Sequence, residues 1–238
     1  MAMSALVLLP GMDGTGDLFA PLIPSLDAAL DVAVVRYPRD APLDYSELEA
    51  IARSACPENR NYFLLGESFS GPLAIKIAAT RPAGLLGIIL CSTFATNPRP
   101  RLGVIGRLAT LFPVTFAPAR LISFALLGRF ATRQLCRLIT ASVRSVGAKA
   151  LQARLRAVLE VNVLADLAEL RVPILCLCAS EDRLVPEASL AQICAANPTV
   201  QVVHIVGPHC LLQARPQQAA AAINEFIVNH SNGLSPRV

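Results

Sequence analysis

The sequence predicts an α/β protein, a mainly parallel sheet flanked by helices on both faces. Two observations predict it. Short apolar runs alternate with amphipathic stretches along most of the chain, and the runs are apolar at nearly every position rather than at every second one, the mark of strands buried on both faces. A third observation sets the size: 238 residues, 54% hydrophobic and 16% charged, suit one α/β unit with ample core and exclude a disordered chain.

The strands are expected at Ala5 to Leu9, Val32 to Tyr37, Tyr62 to Leu65, Leu85 to Cys91, Val172 to Cys178 and Val200 to Val206, short runs rich in β-branched residues. Helices are expected at Tyr45 to Cys56, Gly71 to Thr80, Glu187 to Ala196 and Pro216 to Val228. The alternation stops between Ala95 and Asp166, where no strand shows and Leu151, Leu155, Val158 and Leu159 fall at helix-face spacing. The expected division is a core of residues 1–94 and 166–238 with a helical cap, 95–165, inserted after the fourth strand. Ligands of such sheets sit beyond the carboxyl ends of the strands, where a cap would lie; extra helices that merely extend the core are the plain alternative.

Met1 to Pro10 lacks the basic opening of a secretory signal and reads as the first strand. Pro82 to Pro98 and Leu102 to Leu127 are interrupted by prolines, polar residues or arginines, so no transmembrane segment is expected. Seven cysteines without a C-x-x-C pair suggest free thiols in a reducing cytoplasm and no metal site.

After the third strand the chain reads Gly66-Glu67-Ser68-Phe69-Ser70-Gly71-Pro72 and enters a helix. A serine on such a turn projects its hydroxyl outward, and small neighbours relieve the crowded backbone. Ser68 is the candidate nucleophile. In the common pattern, G-x-S-x-G, glycine stands where this chain has Ser70, a departure that a small side chain tolerates. A hydroxyl needs a base, and the base an orienting carboxylate. Of three histidines, His204 lies inside a strand as an expected packed side chain and His230 in a polar tail; His209, in Gly207-Pro208-His209, follows the last strand. Asp182 lies just past the fifth strand, with Glu181 as its nearest rival. Oxyanion donors are expected from the backbone N–H groups of Phe69 and of Met12, in the loop Pro10-Gly11-Met12-Asp13-Gly14-Thr15-Gly16. Asp13 and Thr15 are expected to shape that loop, contact with substrate being the alternative.

With Ser68, Asp182 and His209 in the order nucleophile, acid, base, the sequence resembles the α/β-hydrolase superfamily over essentially its whole length. Leu8 to Gly16 looks like the family's first-strand oxyanion loop, with Pro10 where many members have His. Arg81-Pro82 to Cys91-Ser92, Val172-Pro173-Ile174 and Gly207-Pro208-His209 resemble its later signatures. The resemblance implies a helical cap, no cofactor and a serine hydrolase acting through an acyl-enzyme. It leaves esterase, thioesterase, lyase and cofactor-free haloperoxidase open.

A dinucleotide site is disfavoured, since Gly11-x-x-Gly14-x-Gly16 is not G-x-G-x-x-G and Arg36 stands near the end of the second strand where a ribose-binding acid belongs. A non-catalytic relative would be expected to have lost Ser68, Asp182 or His209.

The net charge of +4 is too mild to argue for nucleic acid, but it is unevenly spread. Residues 95–159 hold eleven basic groups and no acid: Arg99, Arg101, Arg107, Arg120, Arg129, Arg133, Arg137, Arg144, Lys149, Arg154 and Arg156. Arg129, Arg133 and Arg137 are spaced for one helix face. A basic cap over apolar residues such as Leu126, Leu127, Phe130 and Leu138 would suit an acyl ester carried on acyl carrier protein or coenzyme A. In size, layout and cap arginines the chain is similar to the pimeloyl-carrier-protein methyl ester esterases. An anionic membrane surface, or a merely solvated face, would account for the same charges.

Overall fold

A computed structural model describes residues 4–100 and 118–231; Arg101 and Arg107 lie outside the described residues, as does part of the expected cap. Six strands form one sheet: β1 (Ala5–Leu9), β2 (Asp31–Val34), β3 (Tyr62–Glu67), β4 (Leu85–Cys91), β5 (Ile174–Ala179) and β6 (Gln201–Ile205). They are all parallel, in the order β2-β1-β3-β4-β5-β6. From β1 the chain steps outward to β2 and returns to β3 on the other side of β1. The loops after β1 and β3 therefore flank the point where the strand order reverses, the place where such sheets bind ligands.

Side chains alternate between two cores. Ala5, Val7 and Leu9 of β1 join Leu64, Leu73, Leu48 and Ile193 on one face, while Leu6 and Leu8 join Phe63, Leu65, Ile223 and Phe226 on the other. The helices that cover the first face are α1 (Tyr45–Ser54), α2 (Gly71–Ala79), α6 (Leu164–Ala168) and α7 (Glu187–Ala196); α8 (Leu211–Ala214) and α9 (Pro216–Ser231) cover the second. Asp44 starts α1 with a capping box, accepting from the Glu47 N–H at 2.9 Å while Glu47 Oε2 accepts from the Asp44 N–H at 2.9 Å. This pair satisfies two donors that the first turn leaves open.

The two largest boundary differences from expectation have clear reasons. The edge strand β2 ends at Val34 because the chain then turns over the loop after β1, where the Tyr37 N–H donates to the Gly14 carbonyl at 2.8 Å. Helix α9 continues to Ser231, so His230 lies in its last turn, beside the Phe226 carbonyl at 2.8 Å, and not in a tail.

Between β4 and β5 the described residues form α3 (Ala119–Leu127), α4 (Arg133–Arg144), α5 (Ala148–Glu160) and α6. The first three contact the loops at the carboxyl ends of the strands. The Gly147 N–H donates to the Arg39 carbonyl at 2.9 Å and the Cys210 N–H to the Leu126 carbonyl at 3.1 Å. All seven cysteines are free. Among the described residues no helix is long and apolar enough to cross a membrane.

Candidate active site

The turn after β3 places Ser68 at φ +49°, in the left-handed region, and a short 3-10 turn over Ser68–Ser70 leads into α2. A non-glycine residue there is strained and persists only where its surroundings hold it. Thr93, after β4, supplies part of that hold by donating its hydroxyl to the Ser68 carbonyl. The same threonine explains the glycine one place late: a Cβ at residue 71 would lie 2.0 Å from Thr93 Oγ1. Ser70 is more than a tolerated departure. Its buried hydroxyl donates to the Pro10 carbonyl, and the Tyr37 hydroxyl reaches it at 2.8 Å.

His209 Nε2 lies 2.9 Å from Ser68 Oγ, and His209 Nδ1 lies 2.8 Å from Asp182 Oδ2. Asp182 Oδ1 accepts from the N–H groups of Leu184 at 2.8 Å and Val185 at 2.9 Å. The Glu181 N–H donates to the Gly207 carbonyl at 3.0 Å, which joins the loops after β5 and β6 and brings Asp182 beside His209. Glu181 itself faces away. Its carboxylate takes three hydrogen bonds from Arg129, the shortest 2.5 Å, and these hold it below the usual carboxylate range.

Met12, Ser68, Phe69 and His209 line one cavity of about 240 Å³, together with Phe94, Val158 and Leu159. A second, of about 290 Å³, shares Met12, Ser68 and His209 and is lined otherwise mainly by Leu18, Ile122, Leu126, Val143, Leu151 and Leu155. The expected apolar face Leu151, Leu155, Val158 and Leu159 therefore meets the site. Of the apolar residues expected to accompany the arginines, only Leu126 lines these cavities; Leu127 and Leu138 pack with Leu18 and Ile139, and Phe130 lies beneath the guanidinium groups of Arg129 and Arg215.

The loop after β1 is braced internally, as expected. Asp13 Oδ2 accepts from the Thr15 N–H at 2.9 Å, the Thr15 hydroxyl at 2.5 Å and the Ser142 hydroxyl of α4 at 2.9 Å.

The expected single face carrying Arg129, Arg133 and Arg137 is not formed. Gly128, at φ +51°, ends α3, Arg129 sits in a 3-10 turn, and the Thr132 hydroxyl caps a new helix by accepting from the Leu135 N–H at 3.2 Å. Arg133 and Arg137 share α4 with Arg144, and all three are exposed. His204 is likewise exposed rather than packed, because β6 is an edge strand.

Sequence reasoning missed Glu67. Preceding Ser68, it is buried, and burial pushes its carboxyl up to about 7 against the opposing hydrogen bond from Gln213 Nε2, 2.9 Å from Oε1. A carboxyl that holds its proton more tightly when folded favours folding most below about pH 4.5, and that contribution declines as pH rises towards 7. Glu67→Gln is therefore expected to be more stable than the parent at pH 8, by on the order of 3 kcal/mol, and to lose this advantage by pH 4.5. Melting curves across that range check it, and parallel curves would contradict it.

Burial pushes the thiol of Cys210, beside His209, well above its usual range, so it stays protonated. Among the described residues no group of three or more His, Cys, Asp or Glu side chains could hold a metal ion.

A family model described as alpha/beta hydrolase family matches residues 6–223. No curated protein matches the sequence. Solved structures similar to this chain include a bromoperoxidase from Bacillus anthracis, at 15% identity and TM-score 0.82 over 94% of this chain and 92% of that one. An enol-lactonase from Burkholderia xenovorans LB400 aligns at 15% identity and TM-score 0.77 over 97% and 92%. A structure from work on carboxylesterases of Nitrososphaera gargenis aligns at 14% identity and TM-score 0.82, again over 97% and 92%. At such identities the likeness is one of fold.

Proposed function

We propose, for a chain that belongs to the alpha/beta hydrolase family, that it is a serine carboxylic ester hydrolase working through an acyl-enzyme. The observation that carries the reading is the continuous hydrogen-bonded line from Ser68 through His209 to Asp182, ending at apolar cavities. With Nδ1–H donated to Asp182, His209 Nε2 accepts the Ser68 proton as Oγ attacks the acyl carbonyl. The Met12 and Phe69 N–H groups then hold the oxyanion. His209 returns the proton to the departing alcohol, the acyl group stays on Oγ, and water activated by the same histidine releases the acid and restores Ser68. Labelling of Ser68 by a fluorophosphonate tests this, and a folded but unlabelled protein sinks it.

For substrate we infer an acyl ester borne on an anionic carrier, acyl carrier protein or coenzyme A, with residues 95–165 serving as the cap. Support comes from the exposed Arg133, Arg137 and Arg144, which lie along one side of α4 without an acid of their own helix beside them. Arg129 is engaged by Glu181 and contributes less. Reversing Arg133 and Arg137 to Glu is expected to lower kcat/KM for a carrier-bound ester roughly tenfold or more while sparing p-nitrophenyl butyrate. Equal losses on both would defeat the docking role. The same line of groups would serve an acyl thioesterase or, as the likeness to a bromoperoxidase suggests, a non-hydrolytic relative; one acyl group offered as methyl ester, coenzyme A thioester and carrier conjugate separates these, the carrier-bound ester being expected to turn over fastest.

A further inference from the structure

Arg154, on α5, is the largest fully buried side chain among the described residues, and no carboxylate there lies within ion-pairing distance of it. Its Nη1 donates to the carbonyls of Met12 at 2.9 Å and Asp13 at 2.8 Å, and its Nη2 to the carbonyl of Pro38 at 2.9 Å. A buried cation held by backbone carbonyls rather than by a paired carboxylate is a costly arrangement. Here it falls on the loop that carries the expected oxyanion donor. Gly14, at φ +68°, makes room for it, since a Cβ there would lie 2.6 Å from Nη1.

Every carbonyl from Pro10 to Asp13 has a donor. The Ser70 hydroxyl holds Pro10, the Gly14 N–H holds Gly11 at 2.9 Å, and Arg154 holds Met12 and Asp13. In a planar trans peptide the C=O and N–H point in opposite directions. The Gly11 carbonyl therefore fixes the direction of the Met12 N–H, and the clamps on either side stop the neighbouring peptides from rotating it.

We propose that Arg154 is a positioning residue for the oxyanion site. From a helix inserted between β4 and β5 it locks the Pro10–Asp13 backbone in the orientation that presents the Met12 N–H, while Ser70 braces the same loop from the nucleophile's turn. This rests on the serine-hydrolase reading. Arg154 touches no reacting atom and acts through the loop alone.

Arg154→Met keeps the side-chain volume and removes the donors. With p-nitrophenyl butyrate, its kcat is expected to fall about 100-fold with little change in KM, because misplacing a donor weakens the transition state and not ground-state binding. Affinity for a trifluoromethyl ketone, which forms a tetrahedral adduct on serine, should fall by a similar factor. In Arg154→Ala, added methylguanidinium should restore part of kcat. Ser70→Ala, a smaller lesion, should lower kcat roughly tenfold with the same pattern. A folded Arg154→Met variant with parental kcat and ketone affinity overturns the proposal; should that variant not fold, parental kcat and ketone affinity in Ser70→Ala do so. A parent protein that neither reacts with fluorophosphonate nor hydrolyses the ester overturns the serine-hydrolase reading instead.

Discussion

Ser68→Ala is expected to lower kcat for ester hydrolysis by about 10⁴- to 10⁶-fold, the scale on which removal of an activated serine acts when donors and binding groups remain. The variant keeps the cavities, the loop after β1 and the His209–Asp182 pair, and it loses only one hydrogen bond, the 2.9 Å contact to His209. Such a bond contributes about 1 kcal/mol, so the melting temperature should move by only a few degrees. Rates with p-nitrophenyl butyrate, fluorophosphonate labelling and circular dichroism check the three parts together. Retained turnover would name another nucleophile. The thiol of Cys210, which lines the same cavity, is held protonated by burial and is a poor substitute.

Asp182→Asn should be nearly as severe, with kcat falling by about 10⁴-fold and folding intact. The asparagine oxygen can keep both N–H donors from Leu184 and Val185. Its amide nitrogen then faces His209 Nδ1, which must become an acceptor. The ring proton moves to Nε2, and the imidazole can no longer accept from Ser68. Glu181→Gln is the matched control. That carboxylate meets Arg129 at the surface, so its loss should leave kcat near the parental value. Equal losses in the two variants would show that the neighbourhood of the loop matters and not the bond to His209.

Much of the fold is legible along the chain. The limits of β1, β4 and α7 agree with expectation because an apolar run or a helix-face pattern is written in neighbouring residues. Ser68, Asp182 and His209 are legible as neighbours for a related reason: a parallel sheet brings the carboxyl ends of its strands to one rim, so a serine, an acid and a histidine just after three strands lie along the same edge, and the contact between the loops after β5 and β6 closes the remaining distance. The arginines are different. Regular spacing suggests one helix face for Arg129, Arg133 and Arg137, but Gly128 breaks the helix and Glu181, 52 residues away, draws Arg129 out of the group. Ser70 reads as a harmless replacement of glycine until Pro10 and Tyr37 are seen around its hydroxyl.

By itself, then, the sequence determines the layered α/β architecture, the strand-turn-helix that carries Ser68 and the placing of Asp182 and His209 just past later strands, all of which follow from periodicity and local turn chemistry. Only the tertiary structure decides what each charge is for. Among basic residues alike in sequence, Arg154 is buried against carbonyls about 140 residues earlier, Arg129 is paired, and Arg133 and Arg137 face outward. The charge is a property of the residue, but its solvation and its partner are set by segments that meet only when the chain folds.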